Sequence, residues 1–285
     1  MPNHYIFNER PECQDRLIAF LQKMGYQYVS RSEAEQKRGS LSKVIFTDEL
    51  IRFLNTQSFK YKNYELNFSG ESVQRAVNAL DASLLQGLSM ASKEIYNLLT
   101  LGISLEENVV IDQDVPVRQS FDLSYIDFEH PANNIWQVTE EFSVERANGQ
   151  YARPDVVIMV NGIPLAVIEC KKSSVDVKEG VLQNVRNMGP EYIPHLFKFT
   201  QLVMAMNPNK VVYGTCGTTA DYFVEWREDD VDWQKQICQN CSPDGQILEQ
   251  DRITASLLDK KRLLTLIHDY ILYDSNIKKI CRHQQ

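Results

Sequence analysis

Three ionisable residues, Asp155, Glu169 and Lys171, stand inside an otherwise apolar stretch, YARPDVVIMVNGIPLAVIECKKS. Asp155 to Val160 is a β-branched run and Pro164 to Lys171 is another, joined through Asn161-Gly162. Asn-Gly between two apolar runs is a strong hairpin signal, and continuous apolar character places both strands inside a covered sheet. Glu169 and Lys171 are two apart, so their side chains leave the strand from one face. The turn brings the start of the first strand opposite the end of the second, which sets Asp155 beside Glu169. Two carboxylates and an ammonium at the end of an apolar hairpin are costly unless they have work to do. Paired carboxylates suit Mg²⁺, a hard cation that keeps several waters, and a neighbouring lysine can orient an attacking water or offset charge on a phosphate. The chemistry this describes is metal-assisted phosphodiester hydrolysis. A structural ion pair of Asp155 or Glu169 with Lys171 at a sheet edge is the plain alternative.

The elements that must position these residues can be read around them. Glu12 to Met24 carries apolar residues at Leu17, Phe20, Leu21 and Met24, the spacing of an amphipathic helix stopped by Gly25. Tyr26 to Ser30 reads as a short strand, and Arg31 to Ser40 as an exposed loop. Thr47 is a candidate N-cap for a helix through Leu50, Phe53 and Leu54. Residues 71 to 101 predict one long helix or a broken pair ended by Gly102. Strands begin near residue 109, and Asn134 to Ser143 alternates as a half-buried strand would. After the hairpin, Asp176 to Met188 and Glu191 to Lys198 predict helices. Gln201 to Met206 and Lys210 to Thr215 predict strands turned by Asn207-Pro208-Asn209. Residues 226 to 254 read as an acidic, turn-rich connector, and Ser256 to Tyr273 as a last helix. This order describes an α/β core with a mainly helical N-terminal part.

The 285 residues (32.9 kDa) are 43% hydrophobic and 24% charged, an ordinary balance for a globular chain. No apolar run approaches the roughly 18 residues of a membrane helix, so no membrane partner is expected. The N-terminus, MPNHYIFNERPE, lacks the apolar core of a secretory signal. The six cysteines, at positions 13, 170, 216, 238, 241 and 281, do not resemble a disulfide framework. A cytoplasmic chain with reduced thiols is expected. The net charge of −8 and pI near 5.3 exclude a protein that holds nucleic acid by its bulk field, so any such contact must be local or supplied by another subunit.

Other motifs carry less. Cys238 and Cys241 are spaced as half a zinc site, but no second pair accompanies them, and they read as connector thiols. Neither a G-x-S-x-G elbow nor a G-x4-G-K-[ST] phosphate loop occurs. Lys278, Lys279 and Arg282 form a basic cluster that reads as a solvated helix end, and Trp226 and Trp233 read as packing residues.

RPDVVIMVNGIPLAVIECKK resembles the nuclease motif of the restriction (motor) subunits of type I restriction enzymes. NNIWQVTEEFSVER before it, QNVRNMGPEYIPHLFKFTQLVMAMN after it and VVYGTCGTTADYFVEWRE further on are similar to that family in order and spacing. The tail from Ser256 resembles the approach to the family's helicase region, with RHQQ like the start of its glutamine-containing motif. The resemblance implies a restriction-endonuclease-like PD-(D/E)xK fold, with a mixed central sheet flanked by helices. It implies Asp155 and Glu169 as metal ligands for Mg²⁺, with Mn²⁺ as a substitute, and Lys171 as the catalytic lysine. Gln183 resembles the glutamine of the family's Q-x3-Y motif, although Asn187 stands where that motif has tyrosine. Glu12 or Glu9 is the candidate helix glutamate to complete the site, against the plainer reading of a solvated helix face. Cys170 should point to the opposite face and pack as a small hydrophobe.

The resemblance further implies an endonuclease domain over residues 1–255. Within it, residues 1–105 would be mainly helical, 106–225 the catalytic core and 226–255 a connector, with a truncated helicase region beginning at 256. ATP would be needed only by the full-length motor. The implied partners are double-stranded DNA and the methyltransferase and specificity subunits, in a bacterial or archaeal cytoplasm. Two rival readings stay open: a non-catalytic docking module, and a free-standing PD-(D/E)xK repair nuclease.

Overall fold

In the computed structural model the described residues are 10–111, 116–228 and 231–284. A π-helical turn (Arg10–Gln14) leads into α1 (Asp15–Lys23), β1 (Gln27–Val29), α2 (Arg31–Arg38) and α3 (Thr47–Leu54). The strand pair β2 (Ser58–Tyr61) and β3 (Tyr64–Asn67) precedes α4 (Gly70–Ala79) and α5 (Leu88–Leu101), followed by the pair β4 (Ile103–Val109) and β5 (Val117–Leu123). Then come β6 (Trp136–Glu140), the short pair β7 (Val144–Glu145) and β8 (Tyr151–Ala152), and β9 (Val156–Val160) with β10 (Ile163–Cys170). α6 (Val177–Asn187), α7 (Pro194–Phe197), β11 (Leu202–Asn207) and β12 (Lys210–Gly214) complete the central part. The chain closes through α8 (Asp232–Cys241), α9 (Glu249–Leu258), α10 (Lys260–Asp269) and the hairpin β13 (Ile271–Asp274) and β14 (Ile277–Ile280).

The fold is mixed α/β around one mixed sheet of order β1-β6-β9-β10-β11-β12. β1 with β6 and β10 with β11 are parallel, and the remaining neighbours are antiparallel. Every residue of β6, β9, β10 and β11 is buried, and β9, β10 and β11 are accordingly nearly continuous apolar runs, while β6 buries Gln137, Thr139 and Glu140 as well. α6 packs on β10, β11 and β12, while the π-helical turn packs on β10 and β11. Gly180 allows the helix this approach, because a Cβ there would stand 3.1 Å from Ala205 Cβ and 3.3 Å from Glu169 Cβ.

Several expectations are corrected. Arg31 to Ser40 is not a loop: α2 starts at a capping box in which the Ser30 hydroxyl accepts from Glu33 N–H and the Glu33 carboxylate accepts from Ser30 N–H. Thr47 is the first helical residue of α3, after Phe46 in the cap position. Within the Asn134 to Ser143 stretch, β6 forms over Trp136–Glu140 and is buried at every residue rather than half-buried, since strands lie on both sides of it and α1 and α2 pack on it. Within 226–254, α8 and the start of α9 replace the turn-rich connector. The expected last helix breaks at Asp259, whose carboxylate caps α10, and the cluster around Lys278 and Lys279 lies on a β-hairpin rather than a helix end. Residues 71–101 form the broken pair, α4 and α5.

Candidate active site

The turn between β9 and β10 has the geometry its sequence predicts, with Asn161 and Gly162 both left-handed (φ 51° and 78°). Its side chain is also used: Asn161 Oδ1 accepts from Ile135 N–H at 2.7 Å, and Nδ2 donates to Tyr125 O and Asn134 Oδ1. The register contains a feature the sequence reading missed. Val160 pairs with Ile163 and Met159 with Pro164, which extrapolates to Asp155 opposite Ile168. A bulge between Pro164 and Ala166 shifts the pairing by one residue, so that Val156 faces Ile168 and Asp155 faces Glu169. The carboxylates meet because of that bulge.

Glu169 is fully buried, and Asp155 is half-buried at the strand end. Asp155 Oδ2 accepts from Cys170 N–H at 2.7 Å. Burial pushes the Asp155 carboxyl above its ordinary range, with the Cys170 N–H and Lys171 pulling the other way. Burial, and next the Asp155 charge, raise Glu169 well above the ordinary glutamate value. Glu169 Oε1 accepts a long hydrogen bond from Asn187 Nδ2 (3.5 Å), whereas buried Oε2 has no donor. Asn187 Oδ1 is likewise buried without a partner.

Lys171 continues past β10, held by its N–H to Met206 O (2.8 Å), and its ammonium donates to Gln183 Oε1 at 2.9 Å. Gln183 and Asn187 are one helical turn apart on α6, so the same face meets the lysine and the glutamate. The structure therefore brings Asp155, Glu169, Lys171 and Gln183 together and adds Asn187, which touches Glu169 directly. The separation of Gln183 from Asn187 by four residues was the available signal for that contact.

Glu12 is not gathered into the pair. Its carboxylate accepts from Ser173 N–H (3.1 Å) and Ser173 Oγ (3.0 Å), and the Ser173 N–H pulls its pKa down. It thereby holds the turn that follows Lys171. Glu9 lies outside the described residues. Cys170 is buried against Cys13 of the π-helical turn, and both that contact and burial push its thiol up. Because Glu169 meets α6 and Cys170 meets the π-helical turn, successive residues of β10 face opposite sides of the sheet. Cys238 and Cys241 lie along α8 in a cluster with Phe20 and Ala255.

A third carboxylate borders the site. Glu141 N–H donates to Asp155 O (2.8 Å), and its charge adds to the upward push on Asp155. Glu141 is left-handed (φ 49°) and ion-paired to Arg153 at 2.5 Å. Among the described residues no three His, Cys, Asp or Glu side chains are grouped closely enough to hold a metal by themselves. Asp155 and Glu169 could supply two oxygens, with the rest of a coordination shell coming from water or substrate. A cavity of about 830 Å³ lies elsewhere, between β12 and the β13–β14 hairpin.

Residues 6–222 match the family described as type I restriction enzyme R protein N terminus. A Methanocaldococcus jannaschii protein named as the MjaIXP endonuclease subunit of a type I restriction enzyme is 25% identical over 96% of this chain and 26% of its own length. The HindI endonuclease subunit of Haemophilus influenzae is 24% identical over 93% of this chain and 24% of its own. The SauCOLORF180P endonuclease subunit of Staphylococcus aureus is 32% identical over 48% of this chain. The chain thus spans about a quarter of the length of the first two relatives (26% and 24%). It belongs to the type I restriction enzyme R protein family, as the N-terminal region of that subunit.

Proposed function

We propose that this region is a magnesium-dependent DNA endonuclease domain with a restriction-endonuclease-like PD-(D/E)xK core. The observation that carries the reading is the facing of Asp155 and Glu169 across the bulged hairpin, with buried Glu169 Oε2 left without a donor. A buried carboxylate oxygen is normally partnered, and a divalent cation is the partner that two opposed carboxylates fit. Asp155 and Glu169 would hold Mg²⁺, or Mn²⁺ in its place, and the cation when bound supplies charge stabilisation at the phosphate.

The chain's own residues do the rest. Lys171, its ammonium fixed by Gln183 Oε1, faces the reacting phosphodiester and offsets the charge that builds on its non-bridging oxygens. The same N–H bonds can orient the attacking water in line with the leaving oxygen. Water adds at phosphorus, one P–O bond breaks, and the leaving oxygen takes up a proton. Burial under α6 excludes bulk water from Glu169, so the carboxylate is not wasted on hydration.

In the full-length subunit we place this domain ahead of an ATP-driven translocase, with methyltransferase and specificity subunits choosing the site, in the cytoplasm of a bacterium or archaeon. The test compares wild type with Asp155→Ala and Lys171→Ala in the intact subunit with those partners, following plasmid cleavage and ATP hydrolysis in the same tubes. Loss of cleavage with ATP hydrolysis retained is expected. Cleavage that survives both changes would overturn the assignment.

A further inference from the structure

The β7–β8 hairpin and the turn after α6 meet at one aromatic ring that two arginines approach. The guanidinium carbon of Arg146 lies 4.0 Å from the Tyr192 ring centroid, and that of Arg186 lies 5.3 Å from it. Both arginines are fixed to the site's own elements. Arg146 precedes the strand that leads into Asp155, and it donates to Glu191 O at 3.3 Å and to Gln150 Oε1 at 3.1 Å. Arg186 sits on α6 between Gln183 and Asn187, near enough to Glu169 for its charge to be felt there. Tyr192 is held by its N–H to Gly189 O (2.9 Å), and the next residue by its N–H to Asn187 O (3.1 Å).

Two features of this stack call for an anion. Arg16, Arg118, Arg153 and Arg262 each lie against a carboxylate, as expected in a chain with eight more acids than bases. Among the described residues neither Arg146 nor Arg186 makes such an ion pair; Arg38 and Arg75 make none either, but their guanidinium groups donate to backbone carbonyls and the Ser72 hydroxyl. Moreover, two like charges on one ring repel each other, and the ring's quadrupole offsets only part of that. A phosphate reached by both planar forks would neutralise the pair and use their donor geometry. Since the net charge of −8 supplies no general attraction for DNA, such a grip has to be built locally.

We propose that Arg146 and Arg186, spaced by Tyr192, clamp a backbone phosphate of duplex DNA beside the scissile one. This rests on the nuclease reading and adds the residues that seat the substrate. The clamp would set where the strand lies relative to Lys171 without reading any base.

The test measures binding of a fluorescent duplex to the 285-residue chain by anisotropy over a range of salt, in EDTA so that nothing is cut. Arg146→Gln and Arg186→Gln should each weaken binding about tenfold and make the log affinity against log salt slope shallower by about one. Tyr192→Phe should bind as wild type, while Tyr192→Leu should lose affinity as the arginine variants do. Arg118→Gln, on β5, serves as the control and should change little; circular dichroism melts verify that each variant is folded. Unchanged slopes in both arginine variants, an equal loss in Arg118→Gln, or salt-independent binding by wild type would overturn the clamp. Asp155→Ala distinguishes the two ideas: cleavage lost in that variant with the clamp variants binding normally sinks the clamp alone. Cleavage retained in Asp155→Ala sinks the nuclease reading, whatever the arginines do.

Discussion

Glu169 concentrates the energetic conflict of this molecule in a single side chain. It is wholly buried, faces Asp155, and has one carboxylate oxygen without a donor. Its pKa lies well above the ordinary 4.5, so in the absence of metal the folded protein keeps a proton that the unfolded chain releases. The stabilisation this gives is complete below about pH 4.5 and is lost as pH rises through the raised folded value. Glu169→Gln removes the titration. Its metal-free form should melt about 3 °C above wild type at neutral pH, with a flatter dependence between pH 5 and 8, and should cleave no DNA. Parallel pH dependences for the two proteins in EDTA would contradict this. Gln183 acts one step away, through its 2.9 Å contact with the Lys171 ammonium. Gln183→Ala should slow cleavage about tenfold, against complete loss for Lys171→Ala, because a misplaced lysine retains its charge. Equal rates in wild type and Gln183→Ala would remove the positioning role.

The β9–β10 hairpin is the element on which the site depends. Its turn is locked twice, by left-handed backbone at Asn161 and Gly162 and by the N–H of Phe46 donating to Gly162 O at 2.9 Å. A Cβ on Gly162 would stand 2.3 Å from Phe46 O, too close for a backbone atom that cannot turn away. Gly162→Ala should therefore destabilise the protein by about 2–4 kcal/mol, seen as a lower urea midpoint with the slope unchanged. A loss under 1 kcal/mol would show that the turn relaxes. The bulge near Leu165 is equally decisive, since regular pairing of the same residues would put Asp155 opposite Ile168. The extra residue is what brings Glu169 into that place, so deleting Leu165 should straighten the strand and leave the two carboxylates opposed.

At the scale of the whole molecule, the C-terminal hairpin is tied into the sheet's far end by a buried lysine. The Lys278 ammonium donates to Gln201 Oε1 and lies 3.3 Å from Ser92 Oγ, under the rings of Tyr96 and Tyr273 and near the Cys216 thiol. No carboxylate faces it among these groups, and burial lowers its pKa from 10.5 to about 8. The unfolded chain thus binds more protons than the folded one between these values, and stability rises with pH from about 8. The gain ends where the neighbouring phenols ionise in the unfolded chain, near 10, since burial raises Tyr96 and Tyr273 in the folded one. Lys278→Met should abolish the rise between pH 7.5 and 9.5 in thermal melts. A rise that persists in the variant would assign it to other groups.

What the sequence by itself determined is whatever a short-range pattern can encode. The Asn161-Gly162 turn, the two buried strands, the amphipathic α1 and the helix carrying Gln183 were legible because each follows from local chemistry and periodicity. α2 was missed although its signal, Ser30 and Glu33 three apart, was present, because the polar residues of RSEAEQKR hide the helix from a hydrophobicity pattern. β2 and β3 were missed for a related reason, since their residues are mostly polar and exposed, and β4 was missed although its alternation of buried Leu105, Glu107 and Val109 with exposed residues was present. The facing of Asp155 and Glu169 was expected from the turn, but turn geometry alone leads to Ile168. Only the tertiary structure decided the bulge, the contact of Asn187 with Glu169, the placement of Glu12 on Ser173 and the sharing of Tyr192 by Arg146 and Arg186. Each of these joins residues whose proximity depends on how α6, the π-helical turn and the β7–β8 hairpin pack on one sheet. Packing of that kind is a property of surfaces that meet across the chain, and no local window contains both partners.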